Sequence, residues 1–194
     1  WITLQNRENM KIEKGFGFIK SHSSYVSMFN NWFTTSKNTA GYIYVVRDPR
    51  DVAISWSKHA NLSYDDSISF MLNFNSCIEW AQTNSELPDN IKPKTFLSSW
   101  DEHVLSWTKN SLDVPKLVLK YEDLVYKKEE VVKIIVKFFE KNFKIKFNSS
   151  KEKIANIVES TSFKKLKSQE IKYGFVEAYS GAFFRRGEKN QWKN

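Results

Sequence analysis

The sequence has little cysteine, histidine, glycine and proline. Cys77 is the one cysteine among 194 residues, which excludes an internal disulfide and a cysteine-based metal site. The three histidines, His22, His59 and His103, are scattered rather than placed at ligand spacing, so we predict that no metal is bound. Six glycines and four prolines form no linker or repeat. We therefore predict a single domain over residues 1–194.

Long apolar runs are also missing. No stretch approaches the roughly 18 uncharged apolar residues of a membrane-spanning helix, and residues 1–15 contain no signal-peptide core. Apolar residues still make up 41% of the chain, which is enough for a substantial core. We expect a soluble, cytoplasmic protein without a membrane span.

Arginine is scarce and clustered. The formal net charge of +8 is typical of a protein with an anionic partner, such as a nucleotide, a nucleic acid or a membrane surface, but also of an ordinary lysine-rich surface. Lysine is spread along the whole chain, whereas four of the five arginines form two close groups. These four are Arg47, Arg50, Arg185 and Arg186.

Apolar runs alternate with helical patterns along the chain. The runs predict strands at Gly15–His22, Gly41–Val46 and Lys116–Leu124. Helical periodicity covers four further segments, Val52–His59, Ser67–Gln82, His103–Lys109 and Lys127–Asn142. Strands that alternate with helices indicate an α/β fold with a parallel sheet.

The segment after the second predicted strand, "RDPRDVAIS", has the chemistry of an anion site. Arg47 follows the carboxyl end of that strand, where ligands bind in open α/β sheets. Asp48 fits an N-cap and Pro49 the first helical position, so the positive end of a helix points to the same place. Ser55 lies two turns further on and can offer its hydroxyl. Alternatively, Arg47 pairs with Asp48 or Asp51 and Ser55 faces a neighbouring helix.

Six segments, taken in order, resemble those of one enzyme family, the sulfotransferases of cytosolic type that use 3′-phosphoadenosine 5′-phosphosulfate (PAPS). Each segment alone is weak, but six in the right order are specific. They extend over most of the chain from Phe18 onwards and read "FIKSH", "RDPRDVAISW", "SSWDEHVLSW", "LVLKYEDL", "TSF" and "FFRRGEKNQWKN". The resemblance implies a P-loop-NTPase-like fold, with a three-layer arrangement of a parallel sheet flanked by helices.

The resemblance also implies which residues bind PAPS and its product, adenosine 3′,5′-bisphosphate. Arginine suits the 3′-phosphate, because its planar guanidinium can bind two oxygens of a dianion at once. An aromatic ring offers stacking to adenine, although ordinary core packing is the alternative for such rings. The implied ligands of the 3′-phosphate are Arg47, Ser55, Arg185, Arg186 and the backbone of Gly187, and those of the adenine are Tyr121, Thr161 and Phe163.

Two residues near the N-terminus are implied in catalysis. His22 would be the general base that takes the proton of the acceptor hydroxyl or amine, and Lys20 would lie close to the transferring sulfuryl group. Both lie at the end of a predicted strand, the usual place for a site in this fold class. The alternative for His22 is an ordinary surface histidine.

Some parts of the family's pattern have no counterpart in this sequence. The family's P-loop-like segment for the 5′-phosphosulfate has no match, and nineteen residues precede Lys20. We therefore expect a fragment that binds the bisphosphate weakly and transfers no sulfate, and whether it folds alone is open.

A homodimer also stays open, because the family's dimerisation segment would follow Asn194. Asn190 and Gln191 replace the usual glycine and aspartate, and asparagine tolerates the left-handed backbone better than most residues.

Other functions remain open at this point. A nucleotide or small-molecule kinase of related α/β fold would need Mg²⁺ ligands and a Walker A loop, and neither is recognisable. A basic nucleic-acid-binding module predicts an extended basic face, whereas clustered arginines favour a pocket, so we expect no nucleic-acid partner. Residues 168–184, where the family covers its acceptor, do not name the substrate. Phenols, alcohols, sterols, sugars and lipid headgroups all fit.

Overall fold

The computed structural model describes residues 17–28, 30–79, 94–109, 112–175, 178 and 181–193. They belong to two compact units, one drawn from residues 1–42 and 69–115 and the other from residues 43–68 and 116–194. That the chain forms a single domain stays a prediction. The elements, in chain order, are β1 (Ser27–Met28), β2 (Asn31–Trp32), β3 (Tyr42–Val46), α1 (Pro49–His59), α2 (Tyr64–Leu72), β4 (Cys77–Glu79), β5 (Lys94–Phe96), α3 (Trp100–Thr108), β6 (Lys116–Lys120), α4 (Tyr121–Tyr126), α5 (Lys128–Phe143), α6 (Lys151–Ser160), α7 (Phe163–Tyr173) and a 3₁₀ turn at Gln191–Lys193.

The first unit is organised around Trp107 of α3, whose side chain is buried. Tyr25 and Tyr42 pack on its indole, with ring centroids 5.4 and 4.9 Å away. The indole N–H donates a 2.9 Å hydrogen bond to the carbonyl of Ser23. Two antiparallel strand pairs, β1 with β2 and β4 with β5, also belong to this unit.

The predicted first strand does not form within the described residues. Residues 17–24 have irregular backbone, and the Phe18 side chain is 79% exposed. A strand needs a neighbouring strand that pairs with its amides and carbonyls, and an apolar pattern alone does not supply one. Residues 15 and 16 of the prediction lie outside the described residues.

The second unit contains the strand pair β3 and β6. The Tyr42 amide at the start of β3 donates to the carbonyl of Pro115, just before β6 begins. The two strands therefore start side by side and run parallel, as the predicted fold class requires. Their carboxyl ends lie at the same edge, where Arg47 follows β3 and Tyr121 follows β6.

Helix α1 begins as the sequence predicts. Asp48 is the N-cap, its side chain accepts a 3.0 Å hydrogen bond from the Arg50 amide, and Pro49 is the first helical residue. The helix continues to His59. The cap fixes where α1 starts and leaves its N-terminal end beside Arg47.

Two other predicted elements end early. The predicted helix Ser67–Gln82 is α2 only as far as Leu72, because Asn73 begins a turn in which its side chain accepts from the Asn75 amide and its carbonyl from the Ser76 amide. β4 then follows, and the rest of the prediction, 80–82, lies outside the described residues. The predicted strand Lys116–Leu124 becomes helix α4 at Tyr121, since Glu122 and Asp123 suit a first helical turn.

Helices α5 and α6 pack against each other through one apolar face each. Val131 of α5 is 3% exposed and Ile154 of α6 is 5% exposed. Ile157, almost one turn further along α6, is 43% exposed. The two isoleucines of α6 therefore differ strongly in burial.

We predict that Ile154→Ala lowers the free energy of unfolding by about 2–5 kcal/mol, the range for removing a buried branched side chain. Ile157→Ala, the same change at the more exposed isoleucine, should alter it by about 0.5 kcal/mol or less. Urea denaturation of both variants gives the two values. Equal losses would show that the unit does not depend on burial at Ile154.

Candidate anion-binding site

Arg47 lies where the parallel strands end. Its guanidinium lies over the Tyr121 ring, 4.4 Å from the centroid. The amide of Asp48 donates to the Glu122 carboxylate at 3.2 Å. The pairing of β3 with β6 therefore places an arginine and an aromatic ring in contact at the N-terminal end of α1.

The Arg47 side chain is 16% exposed and only partly paired. Its Nη2 donates to the carbonyl of Glu188 at 3.3 Å and lies 4.0 Å from Oδ2 of Asp51. Its Nε is buried and has no hydrogen-bond partner among the described residues. The guanidinium thus keeps a buried donor that an anion could use.

The Asp48 carboxylate pairs with Arg50 and not with Arg47. The Arg50 guanidinium lies 2.6 Å from Oδ2 of Asp48, and this hydrogen bond holds the Asp48 pKa below its usual value. Of the two ion pairs that the sequence left open for Arg47, the one with Asp51 is present at the limit of contact. It does not use up the guanidinium.

The C-terminal segment lies on α1. The amides of Asn190 and Trp192 donate to the Asp51 carboxylate at 2.8 and 3.3 Å. Asn190 has φ of 58°, the left-handed conformation that its side chain tolerates. The Arg50 guanidinium stacks on the Trp192 ring, 3.8 Å from its centroid. These contacts join residues about 140 positions apart.

Arg185 reaches α1 from the same segment. Its Nη2 donates to the backbone carbonyl of Ser55 at 3.3 Å. Burial lowers its pKa, and the neighbouring charges of Arg47 and Arg186 lower it further. Arg47, Ser55 and Arg185 therefore come together, while the Arg186 side chain is exposed. Cations held this closely repel one another, and a bound anion would relieve that repulsion.

Gly187 packs directly against Phe163. It has φ of 64°, and a Cβ atom there would lie 2.3 Å from Cδ2 of the Phe163 ring. Phe163 is the first residue of α7, after the N-cap Ser162, and its ring meets that of Phe184 edge to face at 6.1 Å. The ring and the Gly187 backbone thus form one continuous surface.

Thr161 lies at the turn between α6 and α7. Its hydroxyl donates to the carbonyl of Ile157 at 2.7 Å, and its own carbonyl accepts from the Lys128 ammonium. The threonine side chain is thus engaged with its own helix. Of the three residues implied for adenine, Phe163 faces Gly187 and Tyr121 faces Arg47.

His22 and Lys20 belong to the first unit, and both are exposed. The carbonyl of His22 accepts a 3.0 Å hydrogen bond from Nε2 of His103. Burial lowers the His103 pKa, which favours the neutral ring, with its proton on Nε2 because a carbonyl only accepts. His103 and Trp107 therefore hold the backbone on which His22 is carried.

Sequence reasoning missed three residues that build these surroundings. Asp51 appeared only as an ion-pair partner, and His103 only as one of three scattered histidines. Glu170 was not singled out, yet its carboxylate accepts from the amides of Phe183 and Phe184 at 2.5 and 2.9 Å. All three side chains form hydrogen bonds with backbone groups, and the sequence does not show which backbone group a side chain will meet.

The chain belongs to the family described as the sulfotransferase domain, which matches residues 4–194. The predicted family is therefore confirmed. The described residues contain no group of three or more histidine, cysteine or acidic side chains that could hold a metal ion. They also include no helix of the length and apolarity that crossing a membrane requires.

Curated relatives agree with the family. The chain is 28% identical over its whole length to a 3-beta-hydroxysteroid sulfotransferase of Cavia porcellus, and it covers 63% of that protein. It is 26% identical to a flavonol sulfotransferase-like protein of Flaveria bidentis over 97% of its length, which is 57% of the relative. An amine sulfotransferase of Oryctolagus cuniculus is 28% identical over 81% of this chain and 49% of the relative. The chain thus spans about half to two thirds of these proteins.

Solved structures confirm the predicted fold class. The structure of the mouse sulfotransferase SULT7A1 complexed with PAP matches 96% of this chain and 62% of its own, with a TM-score of 0.64 at 23% identity. A retinol dehydratase, solved with androsterone and the inactive cofactor PAP, matches 78% of this chain and 41% of its own, with a TM-score of 0.50 at 25% identity. The fold is the P-loop-NTPase-like α/β fold of sulfotransferases.

We predict that Gly187→Ala destabilises the protein more than Gly174→Ala. Both glycines have positive φ, but only Gly187 has a ring in the way of a Cβ atom. The backbone strain is about 1–3 kcal/mol at Gly174, whose φ of 75° and ψ of 176° suit glycine almost alone, and about 1–2 kcal/mol at Gly187. Overpacking against Phe163 adds about 1–3 kcal/mol at Gly187 only. Chemical denaturation measures both. Similar losses would mean that Phe163 moves aside freely.

Proposed function

We propose that the protein containing this chain is a sulfotransferase that moves a sulfuryl group from PAPS to a hydroxyl or amine. One observation carries the proposal. In a chain of the sulfotransferase family, Arg185 donates to the Ser55 carbonyl of α1, 130 residues away in the sequence, and comes close enough to Arg47 for the two charges to interact. Two guanidinium groups beside α1 offer several donors to one anion.

The donors at this place fit a phosphate dianion. The buried Nε of Arg47 lacks a partner among the described residues, and the two guanidiniums of Arg47 and Arg185 repel each other in its absence. The Phe163 ring occupies the space that a Cβ atom of Gly187 would need, so the residues proposed for the phosphate and for the adenine are adjacent there. We assign Arg47, Ser55, Arg185, Arg186 and the Gly187 backbone to the 3′-phosphate, and Tyr121, Thr161 and Phe163 to the adenine.

When bound, PAPS supplies the sulfuryl group and leaves as adenosine 3′,5′-bisphosphate. His22 takes the proton of the acceptor as the acceptor oxygen or nitrogen bonds to sulfur and the sulfur–oxygen bond to the 5′-phosphate breaks. Lys20 offsets negative charge on the sulfuryl oxygens. Alignment and charge stabilisation, rather than a covalent intermediate on the protein, account for the rate in such transfers.

The acceptor we propose is a small molecule with a hydroxyl or amine group. The names of the relatives, a hydroxysteroid, an amine and a flavonol sulfotransferase-like protein, support this class. Phe175, Phe183 and Phe184 pack together in the segment after α7, with ring centroids 4.6 to 5.2 Å apart, and an apolar acceptor would suit such neighbours. Glycan and lipid acceptors, a homodimer and a cytoplasmic location stay predictions.

Two substitutions in an active, full-length protein separate the proposed roles. His22→Ala should lower turnover by roughly two to four orders of magnitude, as expected for a positioned proton acceptor, and leave the affinity for adenosine 3′,5′-bisphosphate nearly unchanged. Arg185→Ala should weaken bisphosphate binding by about 1.5–3 kcal/mol, the value of a hydrogen bond to a charged group. Calorimetry gives the affinities, and sulfate transfer from labelled PAPS gives the turnover.

Lys133→Ala serves as the control, because it also removes one positive charge but its ammonium pairs with Glu129 on the exposed face of α5. It should change neither quantity. Retention of more than about a tenth of the turnover by His22→Ala lies outside the expected range and would remove the base assignment. Equal binding of single-stranded nucleic acid and bisphosphate would instead favour the nucleic-acid module.

A further inference from the structure

Asp51 is a buried acid in the described part of the chain, with 1% of its surface exposed. It lies in the first turn of α1. A carboxylate in such a place is stable only if its oxygens accept strong hydrogen bonds. The identity of its donors therefore indicates what this acid is for.

Its donors come from the C-terminal segment. Oδ2 accepts from the Asn190 amide at 2.8 Å, and Oδ1 accepts from the Trp192 amide at 3.3 Å. Each carboxylate oxygen thus holds one amide, and the two amides are two residues apart. This pairing fixes both the position and the direction of the segment on α1, which a side chain with one acceptor atom could not do.

Other contacts also join this segment to α1 and to the residues before it. Arg47 donates to the Glu188 carbonyl and Arg185 to the Ser55 carbonyl, both at 3.3 Å, and Arg50, on the exposed side of the helix, stacks on Trp192. These two hydrogen bonds also have one ionised partner, but each holds the segment at a single point. Asp51 accepts two amides of the segment, one of them at the shorter distance of 2.8 Å, so it supplies the main directional contact.

Asp51 leaves one donor of Arg47 unused. Its Oδ2 lies 4.0 Å from Nη2, an ion pair at the limit of contact but too long for a hydrogen bond, and Nε of Arg47 has no partner among the described residues. The carboxylate therefore offsets part of the Arg47 charge through space, while its hydrogen bonds go to the backbone of the segment and Nε stays available to an anion.

We propose that Asp51 is a positioning residue for the 3′-phosphate site: it holds the segment Arg185–Trp192 on α1, so that Arg185 and the Gly187 backbone face the phosphate beside Arg47. This inference rests on the proposed function. It assigns the acid no contact with the nucleotide. Its effect should therefore appear only with ligands that carry a 3′-phosphate.

The test compares two ligands, adenosine 3′,5′-bisphosphate and adenosine 5′-phosphate, in the full-length protein and its Asp51→Asn variant. Asparagine keeps the shape of the side chain but turns an amide N–H₂ toward one of the two backbone amides. We expect the affinity for the bisphosphate to fall by about tenfold or more, and the affinity for the 5′-phosphate to stay within about twofold. Glu129→Gln, which also removes one negative charge but whose partner is Lys133 on α5, should change neither.

The outcomes distinguish a failure of this inference from a failure of the proposed function. If the unmodified protein does not prefer the bisphosphate, the proposed function fails and the role of Asp51 falls with it. If it prefers the bisphosphate and Asp51→Asn keeps that preference, the positioning role is wrong and the function stands. Equal loss of affinity for both ligands would mean a general structural role and would also overturn the inference.

Hydrogen exchange of the unmodified protein gives a second test that does not depend on the variant folding. The Asn190 and Trp192 amides should exchange slowly, at rates comparable with the amides inside α1, because both are bonded to a buried carboxylate. They should slow further when the bisphosphate binds. Exchange at the rate of exposed loop amides, with or without the ligand, would show that the contact does not hold the segment.

Discussion

The candidate site depends on the parallel pairing of β3 and β6. These strands are separated by about seventy residues, and their alignment puts Arg47 over the Tyr121 ring and the Asp48 amide on the Glu122 carboxylate. Helix α1 then begins at the same edge, because Asp48 caps it and Pro49 starts it. The alignment of β3 with β6 thus determines the position of Arg47 and of the N-terminal end of α1, which carries a partial positive charge.

A second long-range contact completes the arrangement. The segment after α7 comes back to α1, where Asp51 accepts two of its amides and Ser55 accepts a hydrogen bond from Arg185. This contact brings the guanidinium groups of Arg47 and Arg185 close to each other. Burial lowers the pKa of Arg185 and the neighbouring charges of Arg47 and Arg186 lower it further, and a dianion bound there would offset the repulsion.

Much of the fold could be predicted where neighbouring residues in the sequence determine the secondary structure. Helix α1 follows from Asp48 and Pro49, α5 from the spacing of its apolar residues, and β3 from an uninterrupted apolar run. The failures have two physical origins. The predicted strand Gly15–His22 has irregular backbone over its described residues 17–22, because an apolar pattern does not by itself supply a partner strand. The predicted strand Lys116–Leu124 ends at Lys120, because Glu122 and Asp123 suit the first turn of helix α4.

The sequence by itself determined the family, the α/β class and the residue types that an anionic nucleotide requires, because these are written in short ordered segments and in the placement of five arginines. Only the tertiary structure decided how those residues are used. The buried Nε of Arg47 has no partner among the described residues, and Asp51, which lies 4.0 Å from the Arg47 guanidinium, accepts its hydrogen bonds from backbone amides. Backbone amides are the same in every residue but proline, so their choice of acceptor is fixed by folding and cannot be read from side chains.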